Sequence, residues 1–319
     1  MHILIAESNG FSPEALAMLR AGAEVTAADL TRGGLLAALP AADVLWVRLR
    51  NRIDAEVFDA APNLKIVVTN TTGLNHIDLV EAERRGVEIL SLRGEQEFLA
   101  DIRATAELTI GLLLAMIRKI PQAVEHSRTG LWQRDLFKGH ELYGKTVGIV
   151  GFGRLGRIVA RYLHSFDVRV LAADPNVPQQ DLPEYVELMP LDELLAQSEI
   201  VSLHVDLSAE TQGFFGQREL SNMKSGAWFV NTARGELIDE ASLLAGLESG
   251  QIAGAALDVV SGENELGLIE HPLVRYAQAH DNLILTPHIG GNTRESLEKT
   301  EVFLAGKLAR RLKWTDGNS

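Results

Sequence analysis

Thr146-Val147-Gly148-Ile149-Val150-Gly151-Phe152-Gly153-Arg154-Leu155-Gly156 is the stretch on which the fold turns. Val147 to Val150 has the apolar run of a buried strand, and Leu155–Leu163 has helical spacing. Three glycines join the two. Gly151 permits a tight turn, Gly153 lets the backbone approach a pyrophosphate, and Gly156 allows close packing of helix on strand. The start of the helix adds free N–H groups and a positive dipole for the anion. A second strand then ends in Ala172-Ala173-Asp174, 18 residues past Gly156 (174 − 156). An acid there accepts hydrogen bonds from the adenosine ribose and repels a 2′-phosphate, which favours NAD over NADP.

Outward from this turn, short β-rich runs alternate with helical patterns in both directions, the pattern of α/β architecture with parallel sheets. Upstream, strands are expected at Ile3–Ala6, near Val25, and at Val44–Val47, Lys65–Thr69 and Val87–Ser91, with helices such as Pro13–Ala21 and Asp78–Arg85 between them. A long helix is expected from Leu99 to Ile120, stopped by Pro121. The stretch from Ala123 to Lys145 is polar and irregular, with Trp132 and Phe137 as expected packing anchors. Downstream, strands are expected at Thr146–Val150, Val168–Ala173, Ile200–Leu203, Ala227–Thr232, Ala253–Leu257 and Leu283–Thr286. Asn292 with Glu295 has capping-box spacing for a last helix that carries Leu297, Phe303 and Leu304 inward. Thr315 to Ser319 reads as a frayed end.

The chain has 319 residues, enough for about two domains. Its net charge of −13 argues against a nucleic-acid binder. It has no cysteine, which excludes disulfides, thiolate metal sites and cysteine nucleophiles, and no metal site is expected. The most apolar run, Leu108–Ile117, is too short to span a bilayer, and the N-terminus reads as a strand rather than a secretory signal. A cytoplasmic protein is expected, with no membrane partner.

In an open α/β sheet, ligands bind outside the carboxyl ends of the strands. The six downstream strands are followed by Gly151, Asp174, His204, Ala233-Arg234, Asp258 and His288. Hydride transfer to a 2-keto acid needs a cation for the carboxylate, a proton donor for the carbonyl oxygen, and a group that keeps the donor charged. Arg234 suits the first by bidentate pairing. His288 suits the second. Glu263 suits the third, because a nearby carboxylate favours the imidazolium. His204 either lines the cofactor site or finishes its strand. His76, His126, His140, His164, His271 and His280 are read as structural.

Taken together, several segments make the chain similar to the D-isomer-specific 2-hydroxyacid dehydrogenases. They are Thr72 to Asp78, Val147 to Gly156, Ser202-Leu203-His204, Asn231 to Gly235, Ala256 to Val259, and Thr286 to Gly291. The resemblance covers residues 1 to 312 in order. It implies two lobes: a Rossmann-type doubly wound parallel sheet, and a flavodoxin-like α/β substrate lobe. The substrate-binding domain would be 1–98, completed by 293–319, and the NAD-binding domain 99–292. The implied catalytic set is Arg234, Glu263 and His288. The implied cofactor contacts are Thr105, Gly151, Gly153, Arg154, Leu155, Gly156, Asp174, His204, Thr211, Thr232, Ala233, Asp258, Gly290 and Gly291, with Asp258 on the nicotinamide carboxamide. Thr72, Gly73 and Leu74 would line the substrate site. Arg48 and Arg50, just after a strand, read either as favouring a substrate with a second anion or as a solvated basic pair near Arg52. The expected activity is NAD-dependent hydride transfer between nicotinamide and a D-2-hydroxy or 2-keto acid, either phosphorylated like 3-phosphoglycerate or of the glycerate/glyoxylate kind. The expected form is a homodimer.

The chain departs from the common pattern at Asp206, where a proline often stands. It also departs in Val260-Ser261-Gly262-Glu263-Asn264, which lacks the aromatic and proline often found there, and in Arg93–Arg103. A non-catalytic NAD-sensing scaffold, like the corepressors of this fold, is the alternative. The presence of Arg234, Glu263 and His288 argues against it.

Overall fold

The computed structural model describes residues 1–263 and 268–314. Asn264 and the expected frayed end at 315–319 lie outside the described residues. The chain divides into two compact units, Met1–Ile102 with Asn292–Ser319, and Arg103–Gly291. The division falls in irregular residues, between two helices at 102/103 and between a strand and the last helix at 291/292.

The first unit has five parallel strands: β1 (His2–Ile5), β2 (Glu24–Ala27), β3 (Val44–Val47), β4 (Ile66–Thr69) and β5 (Glu88–Leu90), in the order β2-β1-β3-β4-β5. This is the flavodoxin-like order. Strand residues alternate between two buried faces. Ile3, Ile5, Val44, Trp46, Ile66 and Val68 pack on one side with Leu304, Ala305 and Leu308 of the last helix. Leu4, Leu45, Val47 and Val67 pack on the other with Leu35, Leu39, Val57 and Phe58. Covering both faces is why these strands read as unbroken apolar runs.

The second unit has seven parallel strands: β6 (Thr146–Val150), β7 (Arg169–Ala173), β8 (Val186–Leu188), β9 (Ile200–Leu203), β10 (Ala227–Asn231), β11 (Ile252–Leu257) and β12 (Leu283–Leu285). Their order is β12-β11-β10-β9-β6-β7-β8, doubly wound with its switch point between β6 and β9. One face packs on helices Ala104–Ile117 and Arg154–His164 through Val147, Ile149, Val170, Ala172, Leu113, Val159 and Leu163. The other face packs Leu171, Val201, Leu203, Phe229 and Leu257 against Leu194, Leu220, Leu243 and Leu247. β8 is the strand missing from the sequence reading. It is three residues long at the sheet edge, too short to show a period.

Three expectations need correction. The long helix from Leu99 to Ile120 is instead three pieces, Gln96–Leu99, Ala104–Ile117 and Ile120–Arg128. Lys119 takes a left-handed φ of 52°, and Pro121 sits in the first turn of the next helix, where its missing N–H costs nothing. Pro121 therefore starts a helix rather than stopping one. Trp132 is no packing anchor: it is 89% exposed. Phe137 packs partly, edge-on to His126 at 5.1 Å. The last helix, Arg294–Arg311, is capped by Thr293, whose side chain accepts from the Ser296 N–H, in place of an Asn292 box. Among the described residues, no helix is long and apolar enough to cross a membrane.

Candidate functional site

One line of register crosses the second sheet. Leu285 pairs with Leu257, Leu257 with Asn231, Asn231 with Leu203, Leu203 with Val150, and Val150 with Ala173. All these strands run the same way, so the residues just after that line share one rim. They are Thr286, Asp258, Thr232, His204, Gly151 and Asp174, with Arg234 and His288 two residues further on. The doubly wound sheet thus gathers residues that are up to 137 positions apart (288 − 151).

At the switch point the glycines fit a dinucleotide. Gly151 has φ +89°, and a Cβ there would lie 2.5 Å from the His204 carbonyl oxygen. A Cβ on Gly156 would lie 2.3 Å from the Gly151 oxygen. Both positions are closed by the protein's own backbone. A Cβ on Gly153 would meet nothing within 4 Å, so this residue faces open space at the N-cap of the Arg154–His164 helix. Asp174 stands above the turn, its Oδ2 accepting from the Phe152 N–H at 2.7 Å and its Oδ1 from the Asn176 N–H at 2.9 Å. A carboxylate has about four lone-pair sites, so acceptor capacity is left for ribose hydroxyls. Leu155 packs on the core cluster beneath. Burial pushes the Arg154 guanidinium down, and Asp206 opposes that shift.

His204 closes β9. Its Nε2 is 2.9 Å from the Ser202 hydroxyl, and enclosure by protein lowers its pKa to about 4. The ring is neutral at neutral pH. Thr211 braces its own loop, donating to the Asp206 carbonyl at 2.7 Å and accepting from the Ser208 N–H at 2.8 Å.

At the far end of the rim, Asp258 is 1% exposed. Its Oδ1 accepts from the Thr286 hydroxyl at 2.6 Å and the Ile289 N–H at 2.9 Å, and its Oδ2 from the Gly290 N–H at 2.7 Å. Its carbonyl also accepts from the His288 N–H. Burial raises the Asp258 pKa, and these donors oppose the shift. The buried carboxylate thus shapes the 286–290 turn. In that turn His288 takes φ +52°, a left-handed conformation that is rare outside glycine. The imidazole Nδ1 of His288 lies 2.5 Å from Glu263 Oε1, and both side chains are mostly covered. Thr105 approaches the same turn, since a Cβ on Gly290 would lie 3.0 Å from its methyl and 3.1 Å from Asp258 Oδ2. A Cβ on Gly291 would be unobstructed.

Between these two ends, Asn231 shapes the turn that carries Arg234. Its Oδ1 accepts from the Ala233 N–H at 2.9 Å, and its Nδ2 donates to the Arg234 carbonyl at 2.8 Å. The Thr232 hydroxyl is 2.8 Å from that of Thr109, which itself donates to the Thr105 carbonyl. Thr105, Thr232, Asp258 and Gly290 are therefore linked in one network.

In the first unit, Arg48 and Arg50 are both engaged. Arg48 donates through Nε and Nη2 to Oε1 of the fully buried Glu301, at 3.1 and 2.6 Å, and through Nη1 to the Asn9 carbonyl. Arg50 pairs with Asp29 at 2.7 Å. Buried Glu7 accepts from the Arg50 and Asn51 N–H groups. Thr72, Gly73 and Leu74 form a loop after β4, where the Thr71 hydroxyl donates to the Gly73 carbonyl at 2.7 Å. Glu7 and Glu301 are partners that no local motif in the sequence announces. Glu301 lies 253 residues from Arg48, and only an acid on the inward face of a helix hinted at it.

Comparison with known proteins agrees with this geometry. The model for the D-isomer specific 2-hydroxyacid dehydrogenase, NAD binding domain, matches residues 110–290. A hydroxypyruvate reductase of Thermotoga maritima is 37% identical over 289 residues, 91% of this chain and 91% of that protein. A D-3-phosphoglycerate dehydrogenase of Archaeoglobus fulgidus is 37% identical over 316 residues, 98% of this chain but 58% of that longer protein. A crystal structure of the Aquifex aeolicus D-lactate dehydrogenase, complexed with NAD and lactic acid, has a TM-score of 0.81 at 25% identity and covers 98% of this chain and 96% of its own. A non-catalytic scaffold is not favoured. With this coverage, and with the residues that cradle a dinucleotide in place, the chain belongs to the D-isomer specific 2-hydroxyacid dehydrogenase family and is an NAD-dependent oxidoreductase of 2-hydroxy acids.

Proposed function

We propose that this enzyme reduces small, unphosphorylated 2-keto acids of the glyoxylate and hydroxypyruvate kind, with Arg234, Glu263 and His288 as its catalytic residues. The observation that carries this is the His288–Glu263 contact of 2.5 Å on the rim that also bears Arg234. When bound, NAD supplies or accepts the hydride. Arg234 binds and orients the substrate carboxylate. In the imidazolium form, His288 donates Nδ1–H to Glu263 and keeps Nε2–H for the carbonyl oxygen. Glu263 holds the ring's orientation. In oxidation, His288 takes the hydroxyl proton instead. Thr72, Gly73 and Leu74 are proposed as substrate contacts of the first unit.

The absence of a phosphate in the preferred substrate is supported by the two arginines. Arg48 and Arg50 face Glu301 and Asp29, with Glu7 close by, so carboxylates outnumber guanidiniums around them. A phosphate there would meet neutralised cations and a net negative field. The near-complete mutual coverage with the hydroxypyruvate reductase points the same way. With NADH, we expect kcat/KM for hydroxypyruvate or glyoxylate to exceed that for phosphohydroxypyruvate by at least about tenfold. A preference for the phosphorylated acid would overturn this substrate class. NADPH should serve poorly, because Asp174 faces the place of the 2′-phosphate.

We further propose a cytoplasmic homodimer. Support comes from exposed apolar side chains on the second unit: Ile120, Val124 and Trp132 line one surface depression, and Leu131, Leu136 and Tyr143 are exposed as well. An exposed tryptophan amid aliphatic residues is typical of an interface core. Light scattering should give a dimer for the native enzyme and a monomer for Trp132→Glu. A native monomer, or a variant that stays dimeric, would remove the assignment.

A further inference from the structure

The catalytic reading leaves open what holds Glu263 against His288. Glu263 lies in an irregular segment after β11, and such a segment has no sheet ladder to fix it. Two observations show what fixes its beginning. A Cβ on Gly235 would lie 2.1 Å from the Val260 carbonyl carbon and 2.3 Å from the Ser261 nitrogen. The backbone just after Arg234 is thus in direct contact with the backbone just before Glu263. Beside this contact stands Glu240, the first residue of helix Glu240–Ser249. Its Oε1 accepts from the Ser261 N–H at 2.7 Å, and its Oε2 pairs with His271 Nε2 at 3.1 Å.

One carboxylate therefore grips the chain ten residues apart (271 − 261), on both sides of Glu263. Between Ser261 and Glu263, Gly262 takes φ +69°, a left-handed turn that fixes the direction of the next residue. His271 in turn begins the Pro272–Ala279 helix as its N-cap. Its anchor is therefore a regular element, not another loop.

From this geometry we propose that Glu240 is a positioning residue, which holds the Ser261–Glu263 segment on the Arg234 turn so that Glu263 meets His288. This rests on the catalytic reading given above. Burial raises the Glu240 pKa, and the Ser261 N–H and His271 oppose part of that shift. A glutamate that only opened an exposed helix would carry no such desolvation.

A double-mutant cycle in the full-length enzyme tests the idea, read by kcat, KM, NADH affinity and Tm. Glu240→Ala should lower kcat by about 10- to 100-fold, the usual cost of a misplaced catalytic group, with NADH affinity unchanged. Glu240→Gln keeps an oxygen for the Ser261 N–H and should restore most of that loss. Because it preserves the fold, it also serves if the alanine variant fails to fold. In a Glu263→Gln background, Glu240→Ala should change kcat by less than about twofold, since the group it positions is already disabled. Additive losses would mean that Glu240 acts on stability or on Arg234 alone, and would overturn the proposal while leaving Glu263 catalytic. An unchanged kcat for Glu240→Ala, or no rescue by Glu240→Gln, would also overturn it. If Glu263→Gln itself has native turnover, the catalytic role of Glu263 fails first, and the positioning role falls with it.

Discussion

Replacing His288 by Asn is expected to lower kcat by about 10²- to 10⁴-fold, the range that a general acid–base contributes, and to leave NADH affinity unchanged. Asparagine is chosen for a structural reason. His288 has φ +52°, and among residues with a side chain Asn is one of the few that adopt this region at little cost. An alanine or valine there would add backbone strain to the chemical loss, and the two would not be separable. The Asn variant keeps the turn, along with the backbone hydrogen bonds from the His288 N–H to the Asp258 and Thr286 carbonyls. What it removes is the ring whose Nδ1 sits against Glu263. Tm should therefore stay near native while turnover collapses, in both directions of the reaction. A kcat within about tenfold of native would end the assignment of His288 as acid–base. A collapse in NADH affinity as well would place the ring in cofactor binding instead.

The sequence told much about this site because the fold's logic is local at its strand ends. A buried strand, a glycine, a helix and an acid at the next strand end are each recognisable within a few residues, and Gly151, Gly156 and Asp174 stand where that pattern puts them. Arg234 and His288 were legible in the same way, as polar residues that interrupt an apolar run where a parallel sheet opens to ligands. The two-face burial of β1, β3 and β4 also showed in their unbroken apolar sequence.

What was not legible depends on partners far apart in the chain. Arg48 reads as a free cation after a strand, yet it is held by Glu301, 253 residues away. The tie from Glu240 to Ser261 and His271 joins three elements with no common period. Trp132 reads as a core residue on hydropathy alone, and only the fold reveals that its surroundings lie on the surface. Pro121 illustrates a different ambiguity. The same ring ends one helix or begins another, and what decides is the left-handed Lys119 just before it.

Asp258 is expected to be the residue whose loss damages both stability and turnover. Its carboxylate satisfies the Thr286 hydroxyl and the Ile289 and Gly290 N–H groups in a site almost closed to water. Asp258→Ala leaves these donors without an acceptor, at about 1–3 kcal/mol for each one that stays buried. Removing a desolvated carboxylate gives part of this back, because burial already raises its pKa. The balance is a loss of roughly 2–4 kcal/mol, read as a fall in Tm of several degrees. Asp258→Asn should do little better. Its amide oxygen can still accept from Ile289 and Thr286, but its NH₂ group then faces the Gly290 N–H, donor against donor. Both variants should also lose turnover, since the turn they loosen is the one that holds His288 in its left-handed conformation. The distinguishing measurement is Tm without cofactor. If Asp258→Asn melts with the native enzyme and loses only NADH affinity, Asp258 serves the cofactor alone and the turn is held by its backbone. If Tm falls in both variants before any NADH is added, the buried carboxylate is what shapes the turn that carries His288.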